Sequence, residues 1–265
     1  MTLTKPVPIK SFSIKLLLIA IFAMGTYQSA NAAVATVGDR GNAYYQQGLE
    51  AYIEKKYSIA EKYWKRAAKS KNIPAMYSLG AFYQQGANGK PDLESAEKWY
   101  RRAASAGEPM AQLNLAGLLY DKKEYEEAAK WYLKAADNNN PNAQFEIAMM
   151  YLEGKGIEKS QEKAVEMITR SAKLGYAPAQ FKMVLMYNQG DGVEKNDEKA
   201  FEWAKFASAS GSAEAKYLLG YMYYSGTGTV QSDEMAIIWL EDALASGQPR
   251  AQQLLDAIAK RAKKK

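Results

Sequence analysis

Two stretches place a serine and a lysine at a spacing used for covalent catalysis. Ser95-Ala96-Glu97-Lys98 and Ser160-Gln161-Glu162-Lys163 both read Ser-x-x-Lys, the arrangement that sets an amine beside a nucleophilic hydroxyl in penicillin-recognising enzymes. No Lys-Thr-Gly accompanies either one. The two also fall at different points of the repeat described below, so no single active-site geometry explains both, and Ser160 suits the start of a helix. Gly154-Lys155-Gly156, Gly190-Asp191-Gly192 and Gly226-Thr227-Gly228 are superficially phosphate loops. None follows a strand pattern or ends in Gly-Lys-Ser/Thr, and their recurrence at one repeat position marks loop geometry. Asp191, Asp197 and Glu198 are scattered acids without the oxygen spacing of a calcium loop.

The chain contains no histidine and no cysteine. Imidazole acid/base catalysis, Ser-His and Cys-His nucleophiles, thiolate metal sites and disulfides are therefore excluded. The sequence implies no cofactor and no metal. With 48% hydrophobic and 24% charged residues the composition is that of a folded globular chain. The net charge of +6 raises nucleic acid or a membrane as partners. Basic runs such as Lys98-Trp99-Tyr100-Arg101-Arg102 are interrupted by acids, the pattern of a solvated helix face, and no nucleic-acid partner is expected.

Part of the charge lies at the ends. Lys5, Lys10 and Lys15 precede an apolar run from Leu16 to Met24, and Ala30-Asn31-Ala32 follows as a small-x-small site. Residues 1–32 thus read as a cleavable secretory signal, too short in its apolar part to stay as an anchor, with 33–42 as a linker. No cysteine follows for lipidation, so a periplasmic or secreted protein is expected. Lys260-Arg261-Ala262-Lys263-Lys264-Lys265 forms a basic end, suited to a capping helix or to electrostatic contact with anionic membrane or wall polymer. Without the three leader lysines and the five basic residues of this end, the body from Ala33 to Ala259 has a net charge of −2.

The elements that must position any site repeat themselves. Ala43, Ala75, Ala111, Ala143, Ala179, Ala215 and Ala251 open similar patterns at spacings of 32, 36, 32, 36, 36 and 36 residues. Such periods mean stacked supersecondary units. Each unit shows a first helix, as in Ala75, Leu79, Phe82 and Tyr83, and a second, as in Ala96, Trp99, Tyr100 and Ala103. Pro74, Pro109, Pro141, Pro178 and Pro249 stand near unit starts, and Gly107, Gly175, Gly211 and Gly247 follow second helices. In the longer units Gly86, Gly154, Gly190 and Gly226 stop the first helix. The shorter ones turn directly at Glu54 to Tyr57 and Lys122 to Tyr125. These two short units align at a constant offset, Trp64 with Tyr132 and Ala67 with Ala135, which predicts an aromatic filling the crossing of two closely packed helices. The expected fold is an all-α solenoid of six antiparallel helix pairs. Its units span 43–74, 75–110, 111–142, 143–178, 179–214 and 215–250, with a capping helix at 251–262 and a basic end at 263–265.

The pattern Ala-x-x-x-Leu-Gly-x-x-Tyr-x-x-Gly, closed by Ala-x-x-Trp-Tyr-x-x-Ala-Ala-x-x-Gly, resembles the Sel1-like repeat, a longer-looped relative of the tetratricopeptide repeat. Units 75–110 and 215–250 match closely. Units 143–178 and 179–214 depart, with Ile147-Ala148 and Met183-Val184 in place of Leu-Gly and Ser171 for an alanine. The resemblance implies a right-handed α-solenoid and a non-catalytic protein-binding scaffold, similar in exported bacterial members to adaptors of envelope, cell-wall or secretion machinery. A wall or β-lactam hydrolase is the competing implication, weakened because the relatives proposed for it are cysteine-rich.

Stacked helix pairs present their first helices on an inner face where a peptide or domain can lie. Positions two, six, nine and ten after each opening alanine give the candidate partner-binding residues. They are Tyr45, Tyr52, Tyr77, Gln84, Gln85, Tyr120, Asn188, Gln189, Tyr217, Tyr221 and Tyr224, with Asp121 and Phe145 beside them. Tyrosine offers a rigid apolar ring with a polar tip, and an amide can pair with an extended backbone. The expected partner is a protein or peptide of the cell envelope. For Tyr77, Phe145, Phe181 and Tyr217 apolar helical spacing favours packing between repeats over ligand contact.

Overall fold

A computed structural model describes residues 37–263, and the leader as well as Lys264 and Lys265 lie outside the described residues. Among the described residues there are thirteen helices and no strand. The described residues divide into two compact units, one ending at residue 111 and the other beginning at residue 112. The first holds α1 Val37–Ile53, α2 Tyr57–Lys69, α3 Ile73–Gln85 and α4 Leu93–Ser105. Helix α5, Pro109–Asp121, spans the division. The second unit continues with α6 Tyr125–Asp137, α7 Pro141–Glu153, α8 Gln161–Lys173, α9 Ala177–Gln189, α10 Asp197–Ala209, α11 Ala213–Ser225, α12 Asp233–Ala245 and α13 Ala251–Ala262. The architecture is all-α, of the helix-repeat class that the period requires. One boundary differs: α1 begins at Val37, inside the segment read as a linker. Gly41 allows this early start, because its Cα lies close against the turn after α2, where an added Cβ would come within 3.1 Å of the Ser70 Cβ.

Capping explains where the helices begin. The side chains of Asn72, Asn140 and Ser212 accept the backbone N–H of the opening alanines Ala75, Ala143 and Ala215 at 2.8, 3.0 and 3.2 Å. Asp92, Ser160, Asn196 and Ser232 do the same for the second helices, accepting from Ser95, Lys163, Lys199 and Met235. Ser160 is thus a helix cap. What Lys163 gives it is a backbone N–H, while its ammonium lies 5.5 Å from the Tyr151 ring centre. In the four longer repeats the loop closes identically: the carbonyls of Tyr83, Tyr151, Tyr187 and Tyr223 accept the N–H of the next cap residue at 2.9 to 3.0 Å.

The first helices of these repeats end on left-handed glycines, Gly86, Gly154, Gly190 and Gly226, as their spacing requires. At the turn after the second helix, where Gly107, Gly175, Gly211 and Gly247 have positive φ, two repeats instead force Lys71 to φ 60° and Asn139 to φ 58°. A side chain in this region costs about 1 kcal/mol relative to glycine. Lys71→Gly is therefore expected to raise stability by about that amount in chemical denaturation. A fall instead would mean that the lysine side chain contributes more than its backbone strain removes.

The core of each repeat is the crossing of its two helices. An added Cβ would lie 2.3 Å from the Trp64 ring at Gly48, 2.4 Å from Tyr100 at Gly80 and 2.8 Å from Leu240 at Gly220. Large side chains on the second helix are thus received by bare backbone on the first. Where the first helix supplies Val184, the crossing residue shrinks to Ala204, and both are fully buried in one cluster. The volumes on the two sides compensate, as close packing demands.

The long loops rest on the second helix of the preceding repeat. Gly156 and Gly228 press against the backbone of Tyr125 and Asp197, and Gly192 against Gln161 and Val165. In the first unit Asn88 holds the corresponding place through its side chain, donating to Glu61 Oε2 at 3.2 Å. Glu61 also accepts from Tyr83 at 2.7 Å and Lys65 at 2.6 Å. Burial alone would raise this carboxyl, but those three donors hold it below the ordinary range.

Candidate functional site

None of the eleven candidate partner-binding residues is fully buried. In the first unit they come together with the core rather than apart from it. Tyr52 donates to Gln85 Oε1 at 3.2 Å and its ring packs on Trp64 with centroids 5.4 Å apart. Gln84 accepts the hydroxyl of buried Tyr100 at 2.8 Å, and Tyr77 packs on the same ring at 5.9 Å. Tyr45 is half-buried, and desolvation raises its phenol.

In the second unit the candidates fall into separate places. Asn188 and Gln189 end α9. Tyr217 and Tyr224 pack against the cluster of Leu240, Ala251 and Ile258, and each is covered by an arginine. Arg250 lies 5.0 Å from the Tyr217 ring centre and Arg261 4.4 Å from that of Tyr224. Arg261 is also paired with Asp233, so one charge of the basic end serves to hold α13. Tyr221 stays 42% exposed between the two other tyrosines.

Tyr120 belongs to a third group, around the end of α5. Its ring packs on Tyr125 at 5.1 Å, and its hydroxyl accepts from Lys155 at 3.2 Å. Beside it lie Asp121, Tyr132 of α6, Glu146 of α7 and Tyr176 immediately before α9, all in electrostatic contact. Tyr176 packs on Phe145 at 5.5 Å. Burial, with the nearby Asp121 charge, pushes Glu146 up to about 6. Burial, with the Glu146 charge, pushes Tyr176 up to about 12. Burial raises Asp121 and, most of all, Tyr132. Glu146, Tyr132 and Tyr176 were not among the candidates. Glu146 is the acid of the first-helix position occupied elsewhere by Gln46, Ser78, Asn114, Lys182 and Leu218, and that departure was the available signal.

Glu146 gives a test of this environment. An acid held above its ordinary range binds its proton more tightly in the folded than in the unfolded chain, so the folded state gains stability as pH falls from above 6 toward 4.5. Above that window the charge destabilises the fold, by about 2 kcal/mol for a displacement of this size. Glu146→Gln is expected to raise the melting temperature near pH 7.5 and to leave it unchanged near pH 4. A loss of stability near pH 7.5 would show that the carboxylate is paired in solution.

The Sel1 repeat model matches residues 30–72, 73–108, 109–140, 141–176, 177–212 and 213–247. The chain belongs to the Sel1 repeat family. The matched segments from 73, 109, 141, 177 and 213 onward begin at the first residues of α3, α5, α7, α9 and α11. Among solved structures, this Sel1 repeat protein is similar to a Sel1 repeat protein from Oxalobacter formigenes, with 31% identity over 82% of this chain and 90% of that one, at a TM-score of 0.73. It is also similar to c5321, a protective antigen present in uropathogenic Escherichia coli strains and displaying an SLR fold. There the identity is 25% over 94% of this chain, the TM-score is 0.78, and the match spans 52% of the longer protein. Pseudomonas aeruginosa pilF, at 18% identity and a TM-score of 0.56, shares the fold. Sel1 repeats typically serve as non-catalytic scaffolds for protein–protein interaction.

Proposed function

We propose that this Sel1 repeat protein is an exported, non-catalytic adaptor that binds a partner peptide or domain on its first helices and so regulates envelope or cell-wall machinery. The supporting observation is the series of incompletely buried tyrosines and amides on α1, α3, α5, α9 and α11. A helical repeat needs apolar side chains at its crossings, and these are supplied by Trp64, Tyr100, Ile168 and Leu240. Polar-tipped rings left at the surface are then available to a partner. Lys260 and Lys263 of the basic end are exposed and suit an anionic membrane or wall polymer.

Photo-crosslinking in an envelope fraction tests this reading, with the crosslinker placed at Tyr221 or, as a control, at Ile238 of the second-helix surface. Both side chains are exposed, at 42% and 52%. A specific adduct from position 221 and none from 238 is expected. Equal labelling from both positions, or none from either, would contradict the proposal.

A further inference from the structure

We propose that the outer face of α2 is a second docking surface, on which Lys62, Lys65, Arg66 and Lys69 receive the carboxylates of an acidic protein segment. It lies on a second helix, so it goes beyond the first-helix reading above and does not depend on it.

The four cations line one depression. With Ser58 and Glu61 they surround an open cavity of about 350 Å³ on the surface of α2. All four are exposed. Lys62 stands three and four residues before Lys65 and Arg66, and these stand four and three before Lys69. At such spacings side chains on a helix are neighbours, and like charges repel. The single acid of α2, Glu61, is already held by Lys65 at 2.6 Å, Tyr83 at 2.7 Å and Asn88 at 3.2 Å. Among the described residues Lys62 and Lys69 have no acidic partner. The Arg66 guanidinium lies 5.7 Å from the Tyr44 ring centre and is not paired with an acid.

The repeat itself does not require this charge. Helix α6 is the twin of α2 in the other short unit, and there Leu133 and Asp137 take the places of Lys65 and Lys69, with Glu126 and Glu127 at those of Ser58 and Ile59. Lys130 and Lys134 keep the other two basic positions. In α4, Glu94 and Glu97 stand against Lys98, Arg101 and Arg102, and Glu97 is paired with Arg101 at 2.7 Å. Among the described residues no other second helix has more than one base in excess of its acids, whereas α2 has four bases and one acid.

Ammonium and guanidinium groups donate and cannot accept, so an anion is their complement. From Lys62 to Lys69 the row covers about 10 Å of helix axis, a span that neighbouring carboxylates of one segment can match. Ile59, three residues before Lys62, is 44% exposed. An apolar contact beside the cations suits a protein segment that mixes acidic and apolar side chains rather than a bare polyanion. A bilayer is flat and meets only the rim of the depression, whereas a carboxylate side chain can enter it.

The test is fluorescence anisotropy of the full chain with a fluorescein-labelled dodecapeptide of glutamate and leucine, near pH 7.5 in low salt. The peptide should bind, its glutamine and leucine counterpart should not, and added salt should weaken the binding. Lys62→Ala combined with Lys69→Ala should weaken it about tenfold. Lys62→Arg combined with Lys69→Arg should retain it. The alanine variant removes like-charge repulsion and should melt no earlier than the parent, so its loss of binding is not a loss of fold. Lys130→Ala combined with Lys134→Ala, which removes the same net charge from α6, should leave binding unchanged. An equal loss in the α6 variant would mean that net charge alone attracts the peptide, and would overturn the inference. So would equal binding of the neutral peptide, or no binding of the acidic one. Sedimentation with phosphatidylglycerol vesicles that depends on Lys62 and Lys69, without peptide binding, would overturn it too and assign the face to a lipid surface. The crosslink at Tyr221 is independent of all these outcomes, so the two readings fail separately.

Discussion

Gly80→Val is expected to lower the melting temperature by about 6 to 12 °C, as a loss of about 3 kcal/mol does in a chain of this size. Helix propensity predicts the opposite sign, since glycine is the poorest non-proline residue in a helix interior. Packing decides the outcome. The first atom added at Gly80 would lie 2.4 and 2.5 Å from Tyr100 Cδ1 and Cε1. That ring is fully buried and is tied to Gln84 by its hydroxyl, so it cannot swing aside. The native Val184 and Ala204 crossing indicates the remedy. Tyr100→Ala alone should cost about 3 to 5 kcal/mol through the cavity it leaves. The double variant Gly80→Val with Tyr100→Ala should lose about 2 kcal/mol less than the two single losses together, because the valine fills part of that cavity. Additivity within about 0.5 kcal/mol would refute the idea that crossing volumes compensate.

The same crossing shows how far the sequence could be read. The alanine register, the helix-stopping glycines and the aromatic before the second-helix alanine were legible, because each reflects a local requirement: a cap, a positive φ or a small residue at a contact. Gly80 and Gly220 were legible as a pattern but not as the receivers of Tyr100 and Leu240, a match that depends on which turn faces which ring. The candidate site was less legible. Tyr120 and Asp121 were picked from their places on the first helix, but Tyr132 was read as packing alone because it aligns with Trp64. Tyr100 and Tyr132 have the same place in the repeat, and the Gln84 that accepts from the first is replaced by Tyr120 in the second. The eleven candidates also include residues that serve the core, as Gln84 does for Tyr100, since a side chain on a helix facing both groove and neighbour can satisfy either.

Gly228→Ala is the second large effect, and it tests how one repeat is set on the next. Gly228 has φ 69°, and an added Cβ would lie 2.0 Å from the carbonyl oxygen and 2.5 Å from the carbonyl carbon of Asp197. The obstacle is backbone, in the first turn of α10, where Asn196 is already bonded to the Lys199 N–H at 2.8 Å. Relief requires the loop after α11 to lift from α10. The left-handed backbone accounts for about 1 kcal/mol and the lost contact for about 2 to 3 more. Gly247→Ala separates the two terms, since that glycine has φ 93° and nothing within 4 Å of an added Cβ. It should cost about 1 kcal/mol and no more. If Gly228→Ala costs the same as Gly247→Ala in urea denaturation, the loop does not bear on α10 in solution. If it costs about 3 to 4 kcal/mol, the loop glycines fix the register between repeats. Hydrogen exchange should then quicken in α10 and α11 and remain unchanged in the first unit, because stacked repeats transmit stability chiefly to their neighbours. That register also sets the spacing of Asn188 and Gln189 on α9 from Tyr221 on α11.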